Sequence, residues 1–96
     1  MYLHLGQNVI VSETEVIGIF DLDNTTGSHI TRKFLSDAEK AGSVINVSEE
    51  LPRTFILTEK NKEKKVYLSQ LSPQTLLSRA KSNEKAQYEG KYFNVG

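Results

Sequence analysis

The stretch TFILTEKNKEKKVYLSQLSPQTLLSR, residues 54–79, decides the fold. Two apolar runs, Phe55-Ile56-Leu57 and Val66-Tyr67-Leu68, flank a lysine-rich polar tip, which is the pattern of a β-hairpin over 54–69 with a solvated turn. Ser72-Pro73-Gln74-Thr75 follows almost at once: Ser72 can accept a backbone N–H as N-cap, and Pro73 brings a preset φ to the first helical position. A helix over about 73–82 is expected, with Leu76, Leu77 and Ala80 as its apolar face and a Leu71–Leu76 staple fixing its entry angle. A hairpin that hands straight into a helix reads as a small α+β domain, and the stretch carries no catalytic constellation.

Upstream, Tyr2–Leu5 and Val9–Val11 are short β-prone runs around the turn formers Gly6-Gln7-Asn8, which predicts a first hairpin. Ser12-Glu13-Thr14-Glu15 has the S-x-x-E spacing of a capping box, yet an apolar run begins immediately after it, so a single helical turn is the most it can support. Val16–Phe20 is continuously apolar, as expected of a central strand covered on both faces. Past the polar, turn-rich segment 21–28, the positions Ile30, Phe34, Leu35, Ala38 and Ala41 recur at helical spacing. They predict a helix to Ala41 with one buried stripe, ended by Gly42 at C′. Val44–Val47 is a further short strand, and Pro52 closes the loop behind it. The expected fold is therefore α+β: a small mixed or antiparallel sheet of short strands with two helices over residues 1–82. Residues 83–96 read as a tail, either mobile or docked on a neighbouring subunit through Tyr88, Tyr92 and Phe93.

A 96-residue chain makes one domain with a modest core, and domains of this size often gain stability from partner copies, so a homo-oligomer is expected. The absence of cysteine excludes disulfides and thiolate metal sites. With no apolar run of about 18 residues, the expectation is a soluble cytoplasmic protein without membrane contact. The formal net charge of +0 hides an asymmetry: residues 1–51 carry three bases against eight acids, residues 52–96 nine bases against four acids. Two readings stand side by side. Oppositely charged surfaces can meet head to tail between copies and close a ring, or the two halves intermix in space and the asymmetry disappears.

Gly18-Ile-Phe-Asp21-Leu-Asp23-Asn-Thr25 resembles the nucleophile motif of haloacid dehalogenase-type phosphatases, but that family needs a doubly wound sheet about twice this long, a downstream lysine and a late acidic pair. After Ser82 the only acids are Glu84 and Glu89. Asp21, Asp23 and Asn24 read instead as shapers of an Asx-type turn. His4 and His29 have no ligand or carboxylate at metal or catalytic spacing, and no P-loop or nucleophile elbow occurs. No enzymatic activity, metal or cofactor is expected, and no small-molecule substrate. Lys60, Lys62, Lys64 and Lys65 form a protruding basic finger that Arg53 and Arg79 can extend. Such a finger either neutralises the phosphates of duplex DNA or simply guards a hairpin edge against aggregation.

Met1-Tyr-Leu-His-Leu-Gly6 with Val16-Ile-Gly-Ile-Phe-Asp21, and Val66-Tyr-Leu-Ser69 with Ser72-Pro-Gln-Thr-Leu76 and Arg79, resemble the small bacterial extracellular matrix regulatory proteins of the RemA/RemB type, the RemB branch more than the RemA one. The resemblance runs over roughly residues 1–80. It implies a subunit related to LytTR-type DNA-binding domains, assembled into a ring, with DNA held by basic residues and transcription of biofilm matrix genes as the output. RemA-type members have cations where this chain has Glu15, Glu50 and Leu51, and only Arg53 is matched. DNA contact here is therefore expected at another surface, the lysine tip first. The alternative is a ring-forming protein-interaction scaffold that holds no nucleic acid.

Overall fold

A computed structural model describes residues 2–22, 29–83 and 94–95. Strands β1 (Tyr2–Gly6) and β2 (Val9–Ser12) are followed by a 3-10 turn (Glu13–Glu15), β3 (Val16–Asp21), helix α1 (His29–Lys40) and β4 (Val44–Asn46). The hairpin strands β5 (Thr54–Lys60) and β6 (Glu63–Ser69), helix α2 (Pro73–Asn83) and β7 (Asn94–Val95) complete the order. The fold is α+β, as the sequence implies, with two helices among the described residues.

The main sheet has the order β4-β6-β5-β3-β7, antiparallel through β6, β5 and β3 and parallel at both edges. Its middle strand is β5, and β3, the strand that the apolar run marks as central, is interior between β5 and β7. Phe55-Ile56-Leu57 is equally continuous in apolar residues; β6 pairs with β5 along its whole length and β3 over Thr54–Thr58, whereas β7 touches β3 only at Ile19 and Phe20. β1 and β2 form a separate antiparallel ribbon.

The core lies between one face of the sheet, the ribbon and α2. Ile19 and Ile56 from the sheet meet Leu3, Leu5 and Val11 from the ribbon, Val47, and Leu76 and Ala80 from α2. Each of the larger side chains, fully buried, contributes about 1.5–3 kcal/mol. Helix α2 starts as predicted: the Thr75 N–H donates to Ser72 Oγ at 3.1 Å, and Leu71 packs against the cluster containing Leu76. Two long-range bonds tie the ribbon down: the Ser69 hydroxyl donates to the Leu5 carbonyl at 2.7 Å, and Arg79 Nη1 donates to the His4 carbonyl at 3.1 Å. Gly6, at φ +122, lies so close to Gln70 that a Cβ there would stand 3.1 Å from Oε1.

The opposite face of the sheet carries Phe20 stacked on Phe55 at 4.7 Å between centroids, with Phe34 of α1 6.5 Å from Phe55. Here the sequence expectation fails in part. Helix α1 buries none of its residues: Ile30 is 79 % exposed and Phe34 37 %, while Leu35 and Ala38 are only half-buried. The helix rests on β4 and β6 at the edge side of the sheet and reaches β5 through Phe34, so little of its apolar stripe is covered. Its C-terminus is as predicted. Gly42 at φ +74 donates to the Glu39 carbonyl and Ser43 to the Ala38 carbonyl, a complete Schellman motif. The capping box at residues 12–15 does not form: the Ser12 hydroxyl bonds the Thr14 hydroxyl at 2.8 Å and caps no backbone N–H, because the helical segment lasts one 3-10 turn only. The final strand β7 was not legible in the tail, and Tyr88, Tyr92 and Phe93 lie outside the described residues.

Candidate nucleic-acid interface

The hairpin β5–β6 is in perfect antiparallel register from Thr54↔Ser69 to Lys60↔Glu63. Asn61 and Lys62 close it as a two-residue loop with φ +53 and +67, the positive values of a type I′ turn. Asparagine accepts this conformation readily. Lysine at the second position adopts it against Cβ repulsion, where glycine would not.

Register decides what each lysine faces. Lys60 stands opposite Glu63, and Lys64 opposite Glu59. Lys60 Nζ also lies 3.9 Å from Glu15 Oε2, with the two side chains 70 % and 24 % exposed. A pair this long and this wet contributes little to stability. It does, however, reduce the positive field around Lys60. Lys65 stands opposite Thr58, and Lys62 sits at the apex of the turn. The tip is thus less basic than its four lysines suggest, and Lys62 and Lys65 are its two cations without a carboxylate directly across the ladder.

The six sequence-predicted site residues are all exposed, and the fold distributes them. Arg53 lies at the base of the hairpin, where its N–H donates to the Ser69 carbonyl and its carbonyl accepts from the Leu22 N–H. Seven residues of β5 separate it from the tip, roughly 20 Å along the strand. Arg79 leans on the ribbon through the His4 carbonyl. Base and tip therefore present two cationic points along one strand rather than one cluster.

Asp21 ends β3, and Asp23 and Asn24 lie outside the described residues. His4 is exposed on β1 and its Nε2 donates to the Gln7 carbonyl at 2.7 Å, while His29 is exposed at the start of α1. Among the described residues there is no cluster of three metal-ligating side chains and no helix long and apolar enough to cross a membrane. What sequence reading missed is a cavity of about 510 Å³ at the base end of the sheet, lined by Gln7, Asn46, Val47, Ser48, Glu49 and Glu50. Its one sequence signal is the adjacent acid pair Glu49-Glu50.

A family model described as "RemA-like: Extracellular matrix regulatory protein A-like" matches residues 2–80. The chain is 34 % identical over 80 residues to the extracellular matrix regulatory protein B of Bacillus subtilis (strain 168), covering 83 % of this chain and 90 % of that protein. The match spans every element from β1 to the middle of α2.

Proposed function

This chain belongs to the RemA-like family of extracellular matrix regulatory proteins, and on that premise we propose that it is a non-enzymatic cytoplasmic regulator of matrix gene transcription that works as a ring of identical subunits and contacts duplex DNA. The observation that carries the DNA reading is the position of Lys65: exposed, near a projecting turn, and opposite a threonine where its neighbours face carboxylates. Arg53 at the hairpin base and Arg79 beside the ribbon supply further contacts in this reading, and Lys64 adds to Lys65. Cations at such points displace condensed counterions from phosphates, so affinity falls steeply with salt.

A titration of duplex DNA with the sized assembly tests it. Binding at 50 mM salt is expected to weaken as salt rises to 200 mM, with a shallower salt slope for Lys64→Ala/Lys65→Ala. An unchanged affinity and slope in that variant overturns the tip as the DNA surface. A second reading has its own support. Glu15 beside Lys60, and Glu59 and Glu63 within the tip, weaken an anion-binding field, which favours an oligomeric scaffold for other proteins. Absence of DNA binding at low salt by an intact assembly selects that reading.

A further inference from the structure

We propose that subunits join head to tail by the β5–β6 tip of one copy entering the acidic cavity at the hairpin-base end of the next, with Lys62 as the inserted cation facing Glu49 and Glu50. The proposal rests on the self-assembly put forward above and adds the surfaces that make it.

The first support is Lys62 itself. It holds φ +67 in a two-residue turn whose second position glycine fills without strain. The turn sets the Lys62 ammonium at the outermost point of the hairpin, beyond the carboxylates that face Lys60 and Lys64 across the ladder. Among the described residues its ammonium makes no ion pair.

The second support is the other end of the sheet. β6 runs from the tip at Glu63 to the base at Ser69, and β4 runs parallel beside it, Val44↔Val66 to Asn46↔Leu68. The chain leaving β4 is therefore delivered to the base, away from the tip. There Val47 donates to the Leu68 carbonyl, and residues 46–50 with Gln7 wall the cavity of about 510 Å³. That volume is in the range that takes a small ligand whole, enough for a lysine side chain and the end of a turn. The Glu49 and Glu50 side chains are exposed and form no ion pair among the described residues.

A projecting cation and an acidic concavity thus occupy opposite ends of one rigid sheet. They cannot meet within a subunit, but they match between copies. Two different surfaces of the same chain make a heterologous contact, which closes into a ring when the rotation per step allows. A net charge of +0 means that copies approach without overall repulsion, so local complementarity governs the encounter.

Light scattering and sedimentation of the full chain at micromolar concentration test the contact. Lys62→Glu and Glu50→Lys are each expected to raise the concentration for half-assembly about tenfold or more, and the double swap Lys62→Glu/Glu50→Lys to restore it to within about threefold. Lys62→Gly controls for folding: it is expected to melt at a higher temperature than the parent while assembling less well. Single variants that assemble like the parent overturn the contact and leave self-assembly standing. A parent protein that is monomeric under these conditions overturns both.

Discussion

Gln70 is half-buried, and its Oε1 is shut away from solvent without a hydrogen-bond partner among the described residues, pressed against Gly6. An unsatisfied buried acceptor costs about 1–3 kcal/mol, so Gln70→Met, which keeps the shape and removes the acceptor, is expected to raise unfolding free energy by about 1 kcal/mol in a urea titration. A lower midpoint in urea would show that the amide contributes more than its orphaned oxygen takes away. At this scale much was legible beforehand. Ser72 as N-cap and Gly42 as C′ are chemical choices that the local sequence makes for itself, and both are seen. Gln70 was not legible, because its surroundings are assembled from Gly6 and Val47, far away in the chain. Nor was the two-residue turn: Asn61-Gly would have announced it, and Lys62 conceals it behind a charge.

The two helices answer the same sequence logic with opposite outcomes. Leu76 of α2 has 0 % exposure in the core, whereas Ile30 of α1 is 79 % exposed. Leu76→Ala is therefore expected to cost about 2–5 kcal/mol, and Ile30→Ala to stay within about 0.5 kcal/mol of the parent in chemical denaturation. Equal losses at both sites would mean that α1 is docked far more tightly than its exposed face indicates. Periodicity told which side of α1 is apolar. It could not tell how much sheet would be there to receive it, because that depends on β4 joining β6 in parallel at the edge and on where the helix then lies. The hairpin β5–β6 was legible over residues 54–69 because its pairing is local, though not its register or its turn, whereas the parallel edges at β4 and β7 join segments distant in sequence.

Across the whole molecule the chain halves intermix: β3 pairs with β5, β4 with β6, and Glu15 reaches Lys60. Charge asymmetry by sequence half therefore dissolves in space, as one of the two readings held. Each end of the sheet carries both signs, Glu59 and Glu63 beside the tip lysines and Arg53 at the base with Glu49 and Glu50, and the contact proposed above sets Lys62 of one end against Glu49 and Glu50 of the other. If those ends hold copies together, raising NaCl from 50 to 500 mM is expected to shift the light-scattering mass toward the monomer, since exposed pairs are screened within a Debye length of about 4–14 Å over that range. A mass unmoved by salt would assign the assembly to apolar contacts instead. The site was legible in its residue types and illegible in its arrangement: four lysines can be counted, but only register shows that Glu59 and Glu63 oppose two of them.

The bond from Ser69 to the Leu5 carbonyl joins residues 64 apart, and that from Arg79 to the His4 carbonyl residues 75 apart. During translation the ribbon's Leu3, Leu5 and Val11 emerge long before the helix that shelters them, so the nascent chain carries a greasy strand pair through most of its synthesis. Burial of that pair therefore waits on contacts of high sequence separation, which are slow to form because the intervening chain must first be closed into a loop.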